Sequence, residues 1–88
     1  MREFADFAKS VPDLPIILNH IGALSRVGIY ANREDEVRAE WQRGIDAAAA
    51  CPNVTIKLGG LGMPRMGFGW HTRDVPIGSE ELAADMAP

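Results

Sequence analysis

The sequence predicts an α/β chain in which strands alternate with helices and pair in parallel. Two short apolar runs, at residues 15–20 and 53–58, are bounded by glycine or proline and separated by a long amphipathic segment. That separation is long enough for a helical crossover, and no turn signal joins the two runs as a hairpin. Alternation of this kind is typical of βα units that feed a parallel sheet.

The first part of the chain predicts a short helix followed by a strand. Phe4, Phe7 and Ala8 recur at helical spacing, and Pro12 then breaks the pattern. The run Ile16–Leu18 is apolar throughout, which is typical of a strand covered on both faces. Its polar end is Asn19-His20.

The middle of the chain predicts the longest helix. Asn32 is the expected N-cap, because asparagine side chains accept hydrogen bonds from the first turn, and Pro52 ends the helix. Gly44 weakens the helix by about 1 kcal/mol relative to alanine and favours close packing against a sheet. One apolar stripe, which places Trp41 against the sheet, consists of Val37, Trp41, Ile45 and Ala48.

The second strand is predicted at residues 53–58, where Thr55 and Lys57 alternate with apolar residues. A glycine-rich and aromatic-rich loop follows, and a loop of this length usually has a function. Ser79 is the expected cap of a last helix. The single cysteine, Cys51, cannot form an internal disulfide and is expected to be a buried apolar residue.

Composition excludes several classes of protein. With 88 residues the chain forms one domain at most. A net charge of −3 and scattered arginines give no basic surface for nucleic acid. Apolar stretches are far shorter than the roughly 20 residues that cross a bilayer, and the first residues lack the apolar core of a signal peptide. We therefore expect a cytoplasmic protein with no nucleic-acid or membrane partner.

Two segments carry a resemblance to a known family. Residues 12–22, PDLPIILNHIG, and residues 51–62, CPNVTIKLGGLG, resemble successive strand motifs of the amidohydrolase-related (amidohydrolase 2) barrel hydrolases, in the lactonase and decarboxylase branch. The resemblance implies that residues 1–88 are part of a (β/α)8 TIM barrel, truncated at both ends, with about two parallel strands and their flanking helices. In such barrels the active site lies at the carboxyl ends of the strands.

The resemblance implies an active-site role for His20, which matches the family's histidine at a middle strand. It would be a ligand of a divalent metal such as zinc, or a hydrogen-bond donor that polarises the substrate carbonyl. The family's histidine pair on the first strand and aspartate on the last strand have no match here. Asn19 and Gly59 stand where aspartate and serine are common in the family, which leaves metal use open.

Five further side chains are candidate substrate-binding residues. Lys57 would face the barrel interior if the apolar side of its strand meets the helices. Arg26 and Arg65, together with Tyr30, lie in loops expected at the barrel mouth, where arginine suits a substrate carboxylate. His71 lies in the second of these loops. The alternative for the loop residues is simple exposure to solvent, and Lys57 could instead pair with an acidic residue on another strand of the barrel.

The leading hypothesis is part of a hydrolase that adds water to a lactone or related carbonyl substrate, a small molecule. The 88 residues alone are expected to be inactive. A decarboxylase of the same family is one alternative. Another is a non-catalytic βα chain that forms a homo-oligomer, because two parallel strands leave both sheet edges unpaired.

Overall fold

The order of helices and strands agrees with the expected α/β arrangement. The structure, a computed structural model, describes residues 1–87. The helices and strands are, in chain order, α1 (Arg2–Ser10), β1 (Ile16–Leu18), α2 (Glu34–Ala49), β2 (Val54–Ile56) and α3 (Ser79–Met86). Four short 3-10 turns lie between them, at Asn19–Gly22, Gly28–Tyr30, Pro64–Met66 and Trp70–Thr72.

The two strands form one parallel sheet. Ile16 pairs with Val54, and Leu18 pairs with Ile56. Helix α2 makes the crossover between them, as the absence of a hairpin signal predicted. Because both strands run in the same direction, the segments that follow Leu18 and Ile56 leave the sheet at the same edge.

The helices cover one face of this sheet. Ile16 and Val54 pack against the buried cluster of Ala5, Ala8 and Cys51. Ile17, one residue along, is 65% exposed. The expectation that β1 is covered on both faces is therefore wrong for residues 1–87, since α1 and α2 both lie on the Ile16 side.

Small side chains make up most of the core. The buried apolar residues of the described chain are Ala5, Ala8, Ala48, Cys51 and Met66. Small side chains let α1 and α2 approach each other and the sheet closely. Cys51 is 3% exposed, which confirms its expected role as a buried apolar residue.

Two predicted helix caps are wrong. Helix α2 begins at Glu34 with Arg33 in the N-cap position, and no side chain caps it, so Asn32 has no capping role. Arg33 instead binds Glu36, with Nε donating to the carboxylate at 2.9 Å. Helix α3 already includes Ser79, with Gly78 at its N-cap. In both helices the acidic residues of the first turn favour the positive end of the helix dipole.

Gly44 allows a close approach, but to a different partner from the expected sheet. A Cβ atom at Gly44 would collide with the Cβ atom of Met1, immediately before α1. The glycine therefore brings α2 against the start of α1.

Asn53 joins the end of α1 to the sheet. Its side-chain Nδ2 donates hydrogen bonds of 3.0–3.1 Å to three carbonyl oxygens. These oxygens belong to Ala8, Val11 and Leu14. The Asn53 carbonyl in turn accepts from the Ile16 amide at 2.8 Å. One residue thus ends α1, orders the turn after it and starts the pairing of β1 with β2.

None of the helices within residues 1–87 is both long and apolar enough to cross a membrane.

We expect Asn53→Ala to lower the free energy of unfolding by about 1–3 kcal/mol, because it removes the side-chain hydrogen bonds that join the end of α1 and the following turn to the start of β2. Urea denaturation followed by circular dichroism measures the change. Gln42→Ala is the matched control, since that exposed amide only reaches Asp46 on the same helix. Equal losses in the two variants would show that Asn53 does not join α1 to the sheet.

Candidate functional site

His20 lies in a left-handed turn at the carboxyl end of β1. His20, Ile21 and Ala23 have φ angles of 49°, 50° and 54°, and Gly22 between them has 82°. A left-handed conformation costs about 1–2 kcal/mol for each residue with a Cβ atom. Strained backbone of this kind persists only where surrounding contacts hold it, and it is common at active sites.

Gly60 makes room for the His20 imidazole. Its φ angle is 71°, and a Cβ atom there would lie 2.7 Å from Cδ2 of His20. The Gly59-Gly60 pair was expected only to end a strand, and nothing in the sequence showed that its second member contacts a side chain from the other motif. The histidine of the first motif and the glycine of the second therefore meet.

Hydrogen bonds from two sides hold the peptide groups of Ile21. The Ile21 amide donates to the Lys57 carbonyl at 3.2 Å. Its carbonyl accepts from Nε1 of Trp41 at 2.7 Å. Trp41 was predicted to pack against the sheet, but its indole N–H binds the turn that follows β1. Helix α2 and the end of β2 thus both fix the turn that carries His20.

Lys57 follows β2 on the side away from the helices. Val54 packs on the helix side, so alternation assigns Thr55 and Lys57 to the face that also exposes Ile17. Lys57 is itself exposed. The condition for Lys57 to face a barrel interior, namely that the apolar side meets the helices, is met.

Arg26 ties the two loops together next to a small cavity. Its Nε donates to the Met66 carbonyl at 2.6 Å, and the guanidinium lies 4.3 Å from the centre of the Phe68 ring. Nη2 is buried without a hydrogen-bond partner among residues 1–87. The cavity, of about 100 Å³, is lined mainly by Ile21, Leu24, Arg26, Trp41, Leu61 and Phe68. We call it the inner cavity.

Arg65 lies on a larger and more open groove. This groove has a volume of about 420 Å³ and shares Leu24 and Trp41 with the inner cavity. Its other lining residues include Ser25, Tyr30, Arg33, Glu36, Glu40 and Arg65. We call it the outer groove. The structure thus brings Tyr30 and Arg65 to one surface and directs Arg26 to the neighbouring cavity.

The acidic side chains of the outer groove are already paired. Arg33 lowers the pKa of the Glu36 carboxyl, mainly through its hydrogen bond. The hydrogen bond from Arg43 lowers the pKa of the Glu40 carboxyl in the same way. Both carboxylates therefore stay ionised near neutral pH. Among the described residues Arg65 has no such acidic partner, so it is the groove's cation best suited to an anionic ligand.

Comparison with known proteins identifies the family. A family model described as Amidohydrolase matches residues 1–85. The chain belongs to the amidohydrolase family. It is also 34% identical, over 85 residues, to an uncharacterized protein, y4mH, of Sinorhizobium fredii (strain NBRC 101917 / NGR234). That alignment covers 96% of this chain and 26% of the relative. No solved structure matches the chain significantly.

Family membership supports a hydrolase-type function in general and is consistent with the barrel resemblance of the two motifs. The chain spans about a quarter of the length of the curated relative that it matches.

Amidohydrolases often use a metal ion, so it matters whether side chains of the described residues could bind one. Within residues 1–87, no three side chains of His, Cys, Asp or Glu are grouped closely enough to hold a metal ion. Catalytic zinc takes three protein ligands and structural zinc takes four. The described residues therefore do not form a complete metal site, and His20 would be at most one ligand of such a site.

His71 lies apart from these cavities. It is exposed in the turn Trp70–Thr72, beside the stacked rings of Phe68 and Trp70, whose centres are 4.3 Å apart. It lines neither the inner cavity nor the outer groove. His20 lines neither of them either, so neither of these two surfaces brings the two histidines together.

We expect Gly60→Ala to displace the His20 imidazole and to lower the free energy of unfolding by about 1–2 kcal/mol, because alanine is strained at positive φ and its Cβ atom collides with the ring. Imidazole NMR shifts and urea denaturation measure the two effects. Gly59→Ala is the matched control, since a Cβ atom there would contact nothing within 4 Å. Unchanged His20 resonances in Gly60→Ala would contradict the contact.

Proposed function

We propose that this chain contributes His20 to the active site of a hydrolase that adds water to a lactone or a related carbonyl substrate. One observation carries the proposal. A strained turn holds the imidazole at the carboxyl end of β1, against Gly60 of the second family motif. Residues held in sparsely populated backbone conformations are concentrated at functional sites.

The imidazole is suited to assist the addition of water. Its ring takes part in none of the side-chain hydrogen bonds within residues 1–87, so a ring N–H can donate to the substrate carbonyl oxygen and stabilise the negative charge that develops there. The water oxygen bonds to the carbonyl carbon, and the ring C–O bond of the lactone then breaks. The leaving oxygen takes a proton, and the product is a hydroxy acid.

Cationic side chains favour a substrate that carries a carboxylate. We propose that Lys57, on the open face of the sheet, and Arg65, on the outer groove, bind such groups. Arg26 would act from the inner cavity, where its guanidinium is already held by Met66. Arginine is suited to this role because its planar donors match a carboxylate. His71 remains a weaker candidate for substrate contact from its exposed turn.

The remaining parts of the active site would come from sequence other than these 88 residues. We propose a complete barrel in which other strands supply the histidine pair and the aspartate that the family resemblance implies. Should that protein bind a divalent ion such as Zn²⁺, His20 would offer a neutral ring nitrogen as one ligand. The isolated chain would then be inactive.

A second candidate function is self-assembly of the chain as a non-catalytic homo-oligomer. Its support is the exposed apolar surface beside the two-stranded sheet, where Ile17 is 65% and Leu58 is 85% exposed. Two strands also leave backbone donors and acceptors unpaired at both edges of the sheet, and such edges pair readily with other chains.

We expect His20→Asn to lower kcat/KM for lactone hydrolysis by about 10²- to 10³-fold, the usual effect of losing a positioned hydrogen-bond donor to the developing oxyanion. The protein to assay is the complete product of the gene, on a panel of lactones with and without carboxylates, by acid release. Lys9→Gln, on the exposed end of α1, is the control.

Hydrolysis that persists in His20→Asn would contradict the proposed role of His20. Release of carbon dioxide in place of ring opening would replace hydrolysis with the family's decarboxylase chemistry. A preference for lactones without carboxylates would contradict the roles of Lys57 and Arg65.

We expect Ile17→Thr to reduce any self-association of the isolated chain, because it removes the exposed apolar side chain at the centre of the open sheet face. Sedimentation velocity compares the variants with the 9.6 kDa monomer. Val75→Thr is the control, since Val75 is 70% exposed in the loop before α3, away from the sheet. A wild-type chain that stays monomeric at high concentration would exclude the assembly hypothesis.

A further inference from the structure

The turn that carries His20 has an unusual backbone. Three of its residues with side chains are left-handed. One bond within it, from the Ala23 amide to the His20 carbonyl, is 2.8 Å long. Strained backbone of this kind persists where surrounding contacts hold it, so groups outside residues 19–23 contribute to its shape.

Two outside contacts reach the turn at Ile21, the neighbour of His20. The Lys57 carbonyl accepts from the Ile21 amide at 3.2 Å, and this bond comes from the residue that follows β2. The Trp41 indole donates to the Ile21 carbonyl at 2.7 Å, and this bond comes from the helix layer. The bond from Trp41 is the shorter of the two. It holds the Ile21 carbonyl, whose direction depends on whether the backbone at Ile21 is left-handed or right-handed.

Trp41 is itself well fixed. It lies in the middle of α2, half-buried, and its ring lines both the inner cavity and the outer groove. Bulky rings with few rotatable bonds position a donor without much loss of conformational entropy. Its N–H therefore reaches the turn from the middle of α2.

We propose that Trp41 is a positioning residue for His20, acting through its hydrogen bond to the Ile21 carbonyl. The bond keeps Ile21 left-handed, which directs the preceding imidazole against Gly60 and toward the mouth shared by the two motifs. The catalytic part of this inference rests on the function proposed above for His20, whereas the geometric part does not depend on it.

A role in packing alone makes a different prediction from a positioning role. Packing depends on ring volume, which Trp41→Phe largely keeps. Positioning depends on the indole N–H, which Trp41→Phe removes. Trp70→Phe is a matched control, because the Trp70 Nε1 also donates one hydrogen bond, of 3.0 Å, but to the exposed Asp85 carboxylate.

The first experiment is NMR on the isolated chain. We expect Trp41→Phe to change the backbone couplings that report φ at Ile21 and Ala23, and to shift the His20 imidazole resonances, while Trp70→Phe leaves them as in the wild type. Equal effects of the two variants, or no effect of Trp41→Phe, would overturn the proposal.

A second measurement needs no variant. In the wild-type chain the Trp41 indole proton should exchange with solvent at least tenfold more slowly than that of Trp70, because its acceptor is a partly buried carbonyl. Equal exchange rates would overturn the proposal even if Trp41→Phe failed to fold.

Activity separates this inference from the proposed function. In the complete gene product, we expect Trp41→Phe to lower kcat by about 10- to 100-fold with KM little changed, since a displacement near 1 Å can have such an effect. If Trp41→Phe changes the His20 imidazole resonances but leaves kcat unchanged, the proposed geometry is correct and a catalytic role for His20 is excluded. A fall in kcat with wild-type imidazole shifts would exclude positioning by Trp41.

Discussion

The parallel pairing of Ile16–Leu18 with Val54–Ile56 is the constraint on which the other features depend. Parallel strands end at the same edge of a sheet, so the polar residues after β1 and the glycines after β2 become neighbours although 40 positions separate His20 from Gly60. Asn53 sets the start of this pairing through its bonds to the end of α1 and the following turn. The candidate site is therefore a consequence of strand register.

The core that supports this sheet is thin. Alanines and Cys51 provide most of the fully buried surface, and burial of such small side chains stabilises a fold less than burial of leucine or phenylalanine. Specific hydrogen bonds, such as those of Asn53 and Trp41, consequently contribute strongly to the relative positions of the helices, strands and turns. The apolar side chain of Ile17 remains on the uncovered face, as expected for a strand suited to cover on both sides.

The loops connect the helix layer to the edge of the sheet. Trp41 forms a wall of both the inner cavity and the outer groove, and its indole binds the turn of His20. Arg26 connects the first loop to the second through Met66 and Phe68. These links connect α2 and the second loop to the segment that follows β1.

The sequence by itself determined the order of helices and strands, the parallel pairing and the family, because hydrophobic periodicity, proline and glycine positions and motif spacing are local properties. It also singled out His20. Tertiary structure decided that Gly60 contacts the imidazole, that Trp41 binds the turn at Ile21, and that Arg26 and Arg65 face different cavities. Those facts depend on backbone angles and on contacts between distant segments, which no local pattern encodes. The helix caps expected at Asn32 and Ser79 failed for a related reason, since Arg33 pairs with Glu36 and the acidic first turns stabilise helix starts without them.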